Sequence, residues 1–366
     1  MGYEIDFLPV GEESKGGDAI AFRYGNLHGL RREQTVGIID GGYTECGDAL
    51  IEHIENYYAT DKVDLVVSTH TDQDHICGLK VVLEKMRVGQ LLMHLPWAHS
   101  GVIERARTSS SWRNKLNDPA RRMLEAALEL EALARARGVE VVEPFAGMST
   151  KDDVFTVLGP TELYYEALLV ELVATSPKSL EQSIADAVMR KLLELSAAKG
   201  LVEEDLEHET LRDDGETSLT NNTSVVTLLD VDGKKLLLTG DAGIPALTHA
   251  VDELEENGFS PGDLRFVQVP HHGSRNNVGP TILDRLLGAK GQSNAGTAFV
   301  SAPKKNPDNR HPAKKVTNAF LRRGYPVHGT QGTTKWHHSS DAPSRSSYGP
   351  SQPLPLHTLV EDDGGA

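Results

Sequence analysis

Four side chains able to ligate a metal ion, His70, Asp72, Asp74 and His75, fall within the stretch Ser68-Thr69-His70-Thr71-Asp72-Gln73-Asp74-His75. Alternate residues of an extended segment point to the same side, so His70 and Asp72 can share one ion. Asp74 and His75 sit where the chain turns into a helix and can reach a second. Imidazole and carboxylate suit zinc, manganese or iron, with no sulfur required. The largely apolar run Val63–Val67 before the stretch reads as a buried strand, and Leu79–Met86 after it as a helix. The ligands therefore lie on a loop at the C-terminal end of a strand, where an open α/β sheet presents its chemistry. A solvated loop merely rich in His and Asp is the plainer alternative; the density of ligands in this setting argues against it.

The elements that must position this loop follow from the rest of the chain. Its 366 residues suffice for one large domain or two small ones, and 39% hydrophobic with 25% charged residues is ordinary for a globular protein. A formal net charge of −16 argues against a general nucleic-acid coat protein or a membrane-surface binder. Two cysteines, Cys46 and Cys77, are too few for a disulfide framework. The start lacks a basic and then apolar leader, and no apolar run approaches a membrane span, so a cytoplasmic protein is expected.

Strands are expected at Tyr3–Val10, Ala19–Tyr24 and Thr35–Asp40, then a helix from Cys46 to Tyr58. Asp40 ends its strand as His70 does, and reads either as an acceptor that orients a ligand or as a turn carboxylate before Gly41-Gly42. A further strand covers Gln90 to Pro96; a lone histidine such as His94 in it is more often packed or on the surface than a ligand. Ser100 to Asn117 reads as irregular. A helix then starts with Asp118 as cap and Pro119 at its first position and stops at Gly138. Thr161 to Glu216 carries 14 acidic against 5 basic residues and reads as a helical insertion of two or three helices, either a partner surface or a solvated charge run. Strands Val225–Asp230 and Lys234–Thr239 form a hairpin through Asp232-Gly233 and end in Gly240-Asp241. Leu264–Val269 runs into His271-His272-Gly273-Ser274. Thr297–Ser301 leads to Asn306 and His311-Pro312, followed by a helix to Arg323. One domain, 1–338, with a loose Ser/Pro/Gly-rich tail, 339–366, is the expected organisation.

Asp40-Gly41-Gly42 after a strand, the His70-to-His75 loop, Asn222, Gly240-Asp241, His271-His272-Gly273-Ser274, and Asn306 followed by His311-Pro312, in that order, resemble the metallo-β-lactamase fold. The likeness is strongest to the soluble nuclease-like domain of the DNA-uptake competence protein ComEC. It covers roughly Tyr3 to His338, apart from the acidic insertion. It implies an α/β architecture, a four-layer αββα sandwich, with the site at one edge between its halves. By this resemblance His70 and Asp72 bind a first divalent metal, zinc or manganese. Asp74, His75 and His272 bind a second, and Asp241 bridges the two. His271 is a neighbouring ligand or orienting group. Asp72 and Asn222 stand where many members have histidine, which makes the first site richer in oxygen and weaker.

Such a pair of ions activates water and binds phosphodiester oxygens. Asp74 belongs to that catalytic centre, and His271 and His311 are candidates for the acid that protonates the leaving alkoxide. Between Lys304 and Arg323 seven basic residues face one acid, Asp308. That suggests a basic rim for a phosphate-containing substrate, a nucleotide or nucleic acid. Ser274, Arg275, Asn276 and Asn277 could hydrogen-bond its oxygens; few aromatics look exposed enough to stack bases, although Trp97, Trp112 and Trp336 lie near motif-bearing segments. Phosphodiesterase or nuclease activity is the leading expectation. Hydrolysis of a lactone, thioester or amide on the same site is the alternative. A non-enzymatic module that binds a protein partner through 161–216 is a third reading.

Overall fold

The structure, a computed structural model, describes residues 1–12, 16–174, 201–293, 295–305, 311–346 and 348–362. Two sheets stack face to face. The first holds seven strands, β1 (Gly2–Phe7), β2 (Ala19–Gly25), β3 (Gln34–Gly41), β4 (Lys62–Val67), β5 (Arg87–Leu92), β6 (Glu140–Val142) and β14 (Lys335–His338), in the order β14-β1-β2-β3-β4-β5-β6. The second holds six, β7 (Phe155–Gly159), β9 (Val226–Val231), β10 (Lys234–Leu238), β11 (Leu264–Gln268), β12 (Thr297–Val300) and β13 (Val327–Gly329), in the order β13-β12-β11-β10-β9-β7. A separate two-stranded ribbon pairs β8 (Leu201–Glu203) with β15 (Leu359–Glu361).

Period-2 patterning builds the layers. In β2, Ile20, Phe22 and Tyr24 enter the core between the sheets, where they meet Phe155, Leu236 and Phe266 of the second sheet. The alternate Ala19 and Ala21 face outward, and their small size admits the helices α1 (Thr44–His53), α2 (Gln73–Lys85) and α3 (Asp118–Ala136). The second sheet is covered likewise by α5 (Ile244–Glu256), α6 (Pro280–Leu287) and α7 (Lys314–Arg322), counting α4 (Glu162–Ala174) before them. Helix, sheet, sheet, helix is the sandwich expected from the sequence.

One close approach sets the height of the metal loop. Gly78 on α2 lies against the end of β3: its amide donates to the Gly42 carbonyl at 3.0 Å, and a Cβ there would stand 1.9 Å from the Gly41 oxygen. Gly47 of α1 packs on the same turn, with the Gly78 oxygen 2.5 Å from where its Cβ would be. Gly78→Ala should therefore push α2 off β3 and cost about 1–3 kcal/mol of overpacking, read as a lower midpoint in urea unfolding.

Several expectations change. The strand at Gln90 stops at Leu92, leaving His94 in the loop that follows. Asn117, not Asp118, caps α3: its side chain accepts from the Ala120 amide at 2.9 Å. Ser100 to Asn117 contains helical turns at Gly101–Thr108 and Ser110–Arg113. Of the 161–216 segment, α4 is helical, 175–200 lie outside the described residues, and 201–216 carry a strand and loops with no helix. Beyond Ser339 most described residues are exposed, but Arg345 and Val360 are buried and anchor the segment. Arg345 reaches Asp6 at 2.7 Å and Glu4 at 2.8 Å beneath β1, ringed by Tyr57, Trp336 and Tyr348.

The basic rim is also revised. Arg322 and Arg323 are buried, and their charges meet acids of the 201–216 segment and of α6: Arg322 with Glu204 at 2.9 Å, Arg323 with Glu209 at 2.8 Å and with Asp284 at 2.7 Å. Lys315 is buried as well. An unpaired charge cannot be left in the interior, so the two oppositely charged stretches neutralise each other. Lys304 and Lys305 stay exposed, and Arg310 lies outside the described residues.

Burial also fixes a pH response. His337, between the sheets beside Phe266, has its ring pushed down to about 3 by desolvation. Its folded form stays neutral while the unfolded chain takes up a proton near pH 6.5, so stability is lost as pH falls below that value, by at most about 1.4 kcal/mol per unit. Urea titrations from pH 7 to 4 should show this slope, reduced in His337→Phe.

Among the described residues no helix is long and apolar enough to cross a membrane.

Candidate metal centre

The strand ends converge as the sequence anticipates. Asp241, at the turn after β10, is buried and central. His75 Nε2 lies 3.5 Å from its Oδ2, His271 Nε2 at 3.6 Å and His70 Nε2 at 3.8 Å. His272 Nε2 lies 3.9 Å from its Oδ1 and 3.9 Å from Asp74 Oδ2; Asp72 Oδ2 stands 3.9 Å from His70 Nε2. All six proposed ligands and His271 thus surround one volume.

Asp40 orients the loop from below. It is fully buried at the end of β3 with φ +54. One oxygen accepts from the Thr69 amide at 2.8 Å; the other accepts from Thr69 Oγ1 at 2.6 Å and His75 Nδ1 at 2.7 Å. Because Thr69 Oγ1 donates to Asp40, it can only accept from His70 Nδ1, 3.0 Å away. Both rings are thereby set with Nδ1 protonated and the Nε2 lone pair turned to Asp241. This geometry favours the orienting reading of Asp40 over the turn reading.

Nothing in the protein satisfies those lone pairs. Nε2 of His70, His75 and His272 and Oδ1 of Asp241 are buried without hydrogen-bond partners. Buried polar atoms are almost always paired, and 3.5–3.9 Å is too long for a hydrogen bond. Two donors bonded at about 2.0–2.1 Å to one tetrahedral ion lie about 3.4 Å apart. The donor set, nitrogen and carboxylate oxygen without sulfur, fits divalent cations. Electrostatics agrees: burial would raise the Asp241 carboxyl, but His271, His75 and His272 hold it well below the usual carboxylate range. Burial would lower His75, yet Asp241 and Asp40 hold it well above the ordinary imidazole value, so with no ion at the centre its Nε2 holds a proton that a bound cation would displace.

The histidine pair sits in unusual backbone: His271 at φ +46 and His272 at φ +55, both left-handed without being glycine. Such strain is held by its surroundings and collects at functional sites. Asn277 Nδ2 donates to the carbonyls of Asp241 at 2.9 Å and Ala242 at 3.3 Å, which turns its Oδ1 to His271 Nδ1 at 3.1 Å. His271 Nδ1 is thus pinned between the Asn277 oxygen and the Asn221 amide nitrogen, 3.0 Å away, which points its Nε2 toward Asp241 as a candidate ligand or proton carrier.

The remaining expectations divide. His311 is half-buried, its ring 5.9 Å from that of His271. Ser274 is turned to the Asn276 amide, 3.3 Å away. Asn222 is not at the centre: it accepts from the Gly243 amide at 3.2 Å and bonds the Thr217 carbonyl. Its neighbour Asn221 points inward instead, 3.0 Å from His271 Nδ1 and 3.4 Å from Asp241 Oδ2. Asn306 lies outside the described residues. The three tryptophans are engaged by the protein's own cations: Arg107 on Trp97, Lys115 on Trp112 and Arg345 on Trp336.

Asp18 escaped the sequence reading. It is buried, accepts from Gln268 Nε2 at 2.8 Å, and lies 3.9 Å from His75 Nδ1. Burial pushes its carboxyl up to about 7, against the pull of His75. The signal was Gly16-Gly17 just before it: a Cβ on Gly16 would meet the His272 ring at 2.8 Å, so glycine lets this loop lie over the centre.

Comparison with known proteins agrees with this geometry. The family model of the metallo-β-lactamase superfamily matches residues 30–286. The chain therefore belongs to the metallo-β-lactamase superfamily, a class of metal-dependent hydrolases. Among solved structures, a metal-dependent hydrolase of the β-lactamase superfamily, Tm1679, is 12% identical over 93% of this chain and 100% of that one, with a TM-score of 0.42. A diphosphatase of the PhnP family is 12% identical over 92% and 98%, TM-score 0.39. A metallo-β-lactamase-type protein of Thermotoga maritima is 11% identical over 70% and 93%, TM-score 0.36. These likenesses are remote and carry no functional inference. No curated protein matches.

Proposed function

We propose that this hydrolase cleaves phosphodiesters, using two divalent ions, zinc or manganese, held by His70, Asp72, Asp74, His75, His272 and a shared Asp241. The observation that carries the metal-dependent part is the set of orphaned, buried lone pairs turned on Asp241. When bound, such ions lower the pKa of water and neutralise charge on phosphoryl oxygens. The protein's own contribution is positioning. Asp40, through Thr69, holds His70 and His75 in one tautomer. Asn277 and Asn221 hold His271 beside the reacting volume, where its Nε2 can take a proton from the attacking water. In this reading His311, its ring 5.9 Å from that of His271, returns a proton to the leaving alkoxide.

The phosphate reading rests on a second feature. An open polar cleft of about 260 Å³ is lined by Leu211, Arg212, Asp214, Gly215, Arg275 and Asn276, and Arg275 follows directly on His272-Gly273-Ser274. Arg212 is held by Asp214 of the same cleft, its Nε 3.0 Å from Oδ1, so the phosphate reading puts the substrate anion on the Arg275 guanidinium. The ordered motifs from Asp40 to His272 also support the finer likeness to the nuclease domain of the competence protein.

The test is hydrolysis of bis(p-nitrophenyl) phosphate, of single- and double-stranded DNA, and of neutral p-nitrophenyl acetate. Chelated protein is reloaded with manganese, zinc or magnesium. Phosphodiester turnover that falls at least tenfold in Arg275→Ala while ester turnover persists supports the reading. Ester turnover alone, unaffected by Arg275, overturns it in favour of a neutral acyl substrate.

A further inference from the structure

The excursion that follows β5 makes a surface that the metal centre does not use. β4 and β5 are parallel neighbours, with Val67 opposite Leu92 and the Ser68 amide donating to the Leu92 carbonyl at 2.9 Å. The chain beyond Leu92 therefore leaves the sheet at the same edge as the metal loop beyond Val67. Its first residues, Met93 and His94, line one small cavity together with His70 and Thr71. It then makes the helical turns Gly101–Thr108 and Ser110–Arg113 before α3 begins.

Positive charge gathers on this excursion. Between Gly101 and Arg122 six basic residues face two acids, Glu104 and Asp118, in a chain with 53 acidic against 37 basic residues. Arg105, Arg107, Lys115 and Arg122 are exposed. Arg107 has Glu131 at 3.7 Å, and Arg121 has Asp118 at 2.5 Å. Arg105 and Lys115 meet no acid among the described residues. Both lie over the Trp112 ring instead, 5.2 Å and 4.4 Å from its centroid. Trp112 is half-buried against the core, which fixes the place of the ring. Two like charges thus share one indole with no carboxylate to neutralise them. An aromatic face attracts an exposed cation weakly, and a phosphate oxygen is the stronger partner. A cation drawn off to phosphate leaves the indole free to stack a base. With Lys315, Arg322 and Arg323 buried, this excursion supplies cations at the metal-loop edge that α7 does not.

We propose that Arg105, Trp112 and Lys115 form a binding surface for single-stranded nucleic acid, with phosphates on the two cations and a base on the indole. The proposal deepens the phosphodiesterase reading, on which it rests, by naming the substrate class. A single strand fits better than a duplex because its unpaired bases have faces open to an indole, and its flexible backbone can follow two short helical turns toward the metal loop.

Binding can be measured without turnover. The full chain, held metal-free with chelator, is titrated with fluorescein-labelled oligothymidylate, with a duplex of the same length and with phosphatidylglycerol vesicles. The expected result is saturable binding of oligothymidylate, tighter than of the duplex, accompanied by indole quenching that Trp112→Phe removes. In Arg105→Ala/Lys115→Ala, at about 50 mM salt, affinity should fall about tenfold, and the slope of log affinity against log salt should shrink by about 1.4, the share of two single-strand phosphates. Both side chains are exposed, so the variant folds. Unchanged affinity and slope in that variant overturn the proposal. So does an equal loss in Lys62→Ala/Lys85→Ala, which removes the same exposed charge at the opposite end of the sheet. Duplex binding as tight as single-strand binding, or vesicle binding without oligothymidylate binding, also overturns it. Absence of hydrolysis with every ion leaves this binding result standing. Hydrolysis of bis(p-nitrophenyl) phosphate without oligothymidylate binding overturns this proposal alone.

Discussion

Asp241→Asn is expected to lower metal-dependent hydrolysis by more than about 100-fold while leaving the fold intact. Partners that merely orient a ligand are worth about 10–100-fold in metal affinity or activity, and Asp241 stands closer than that: four histidine Nε2 atoms lie within 3.5–3.9 Å of its carboxylate. The amide keeps the shape but removes the charge that balances the histidines and cations. Asp40→Asn should show the smaller effect, about 10–100-fold, because it loosens the tautomers of His70 and His75 without touching the ions. Activity against added manganese separates the two: extra metal should rescue Asp40→Asn in part and Asp241→Asn hardly at all.

Arg322→Ala is expected to cost about 3–5 kcal/mol of stability, the usual penalty for stripping one partner from a buried ion pair. Its guanidinium bonds Glu204 at 2.9 Å and the carbonyl of His208 at 2.8 Å, with both charged side chains fully enclosed. Removing it leaves Glu204 with only Asn318 and Thr210 as donors. Those contacts already hold Glu204 below the usual carboxylate range against the raising effect of burial, so their contribution is present near neutrality and fades as pH falls through the folded pKa. Urea unfolding at pH 7 measures the loss. A change under about 1 kcal/mol would mean the pair is solvated, and the charged helix would return as a candidate substrate rim.

This pair also shows where reading from sequence stops. The metal loop was legible because its chemistry is local: His70, Asp72, Asp74 and His75 lie between a strand and a helix whose periodicities are plain. Asp40 and Asp241 were legible because each ends a strand, and strand ends of one sheet edge meet. The choice between Asn221 and Asn222 was not, since adjacent residues in a tight turn point in different directions and only the three-dimensional turn decides which faces in. Nor could α7 reveal its buried charges, because Glu204 lies 118 residues from Arg322. The same holds for Arg345, which crosses 339 residues to reach Asp6. Asp18 was hidden differently: in a glycine-rich loop nothing local distinguishes a turn carboxylate from one carried over a site.

The most direct test of the central claim is to crystallise the protein with manganese and locate the ions by anomalous scattering. Two peaks flanking Asp241, one near His70 and Asp72 and one near Asp74, His75 and His272, both lost in Asp241→Asn, are the predicted result. Histidine rings left in the same positions with no anomalous peak at millimolar metal would contradict it.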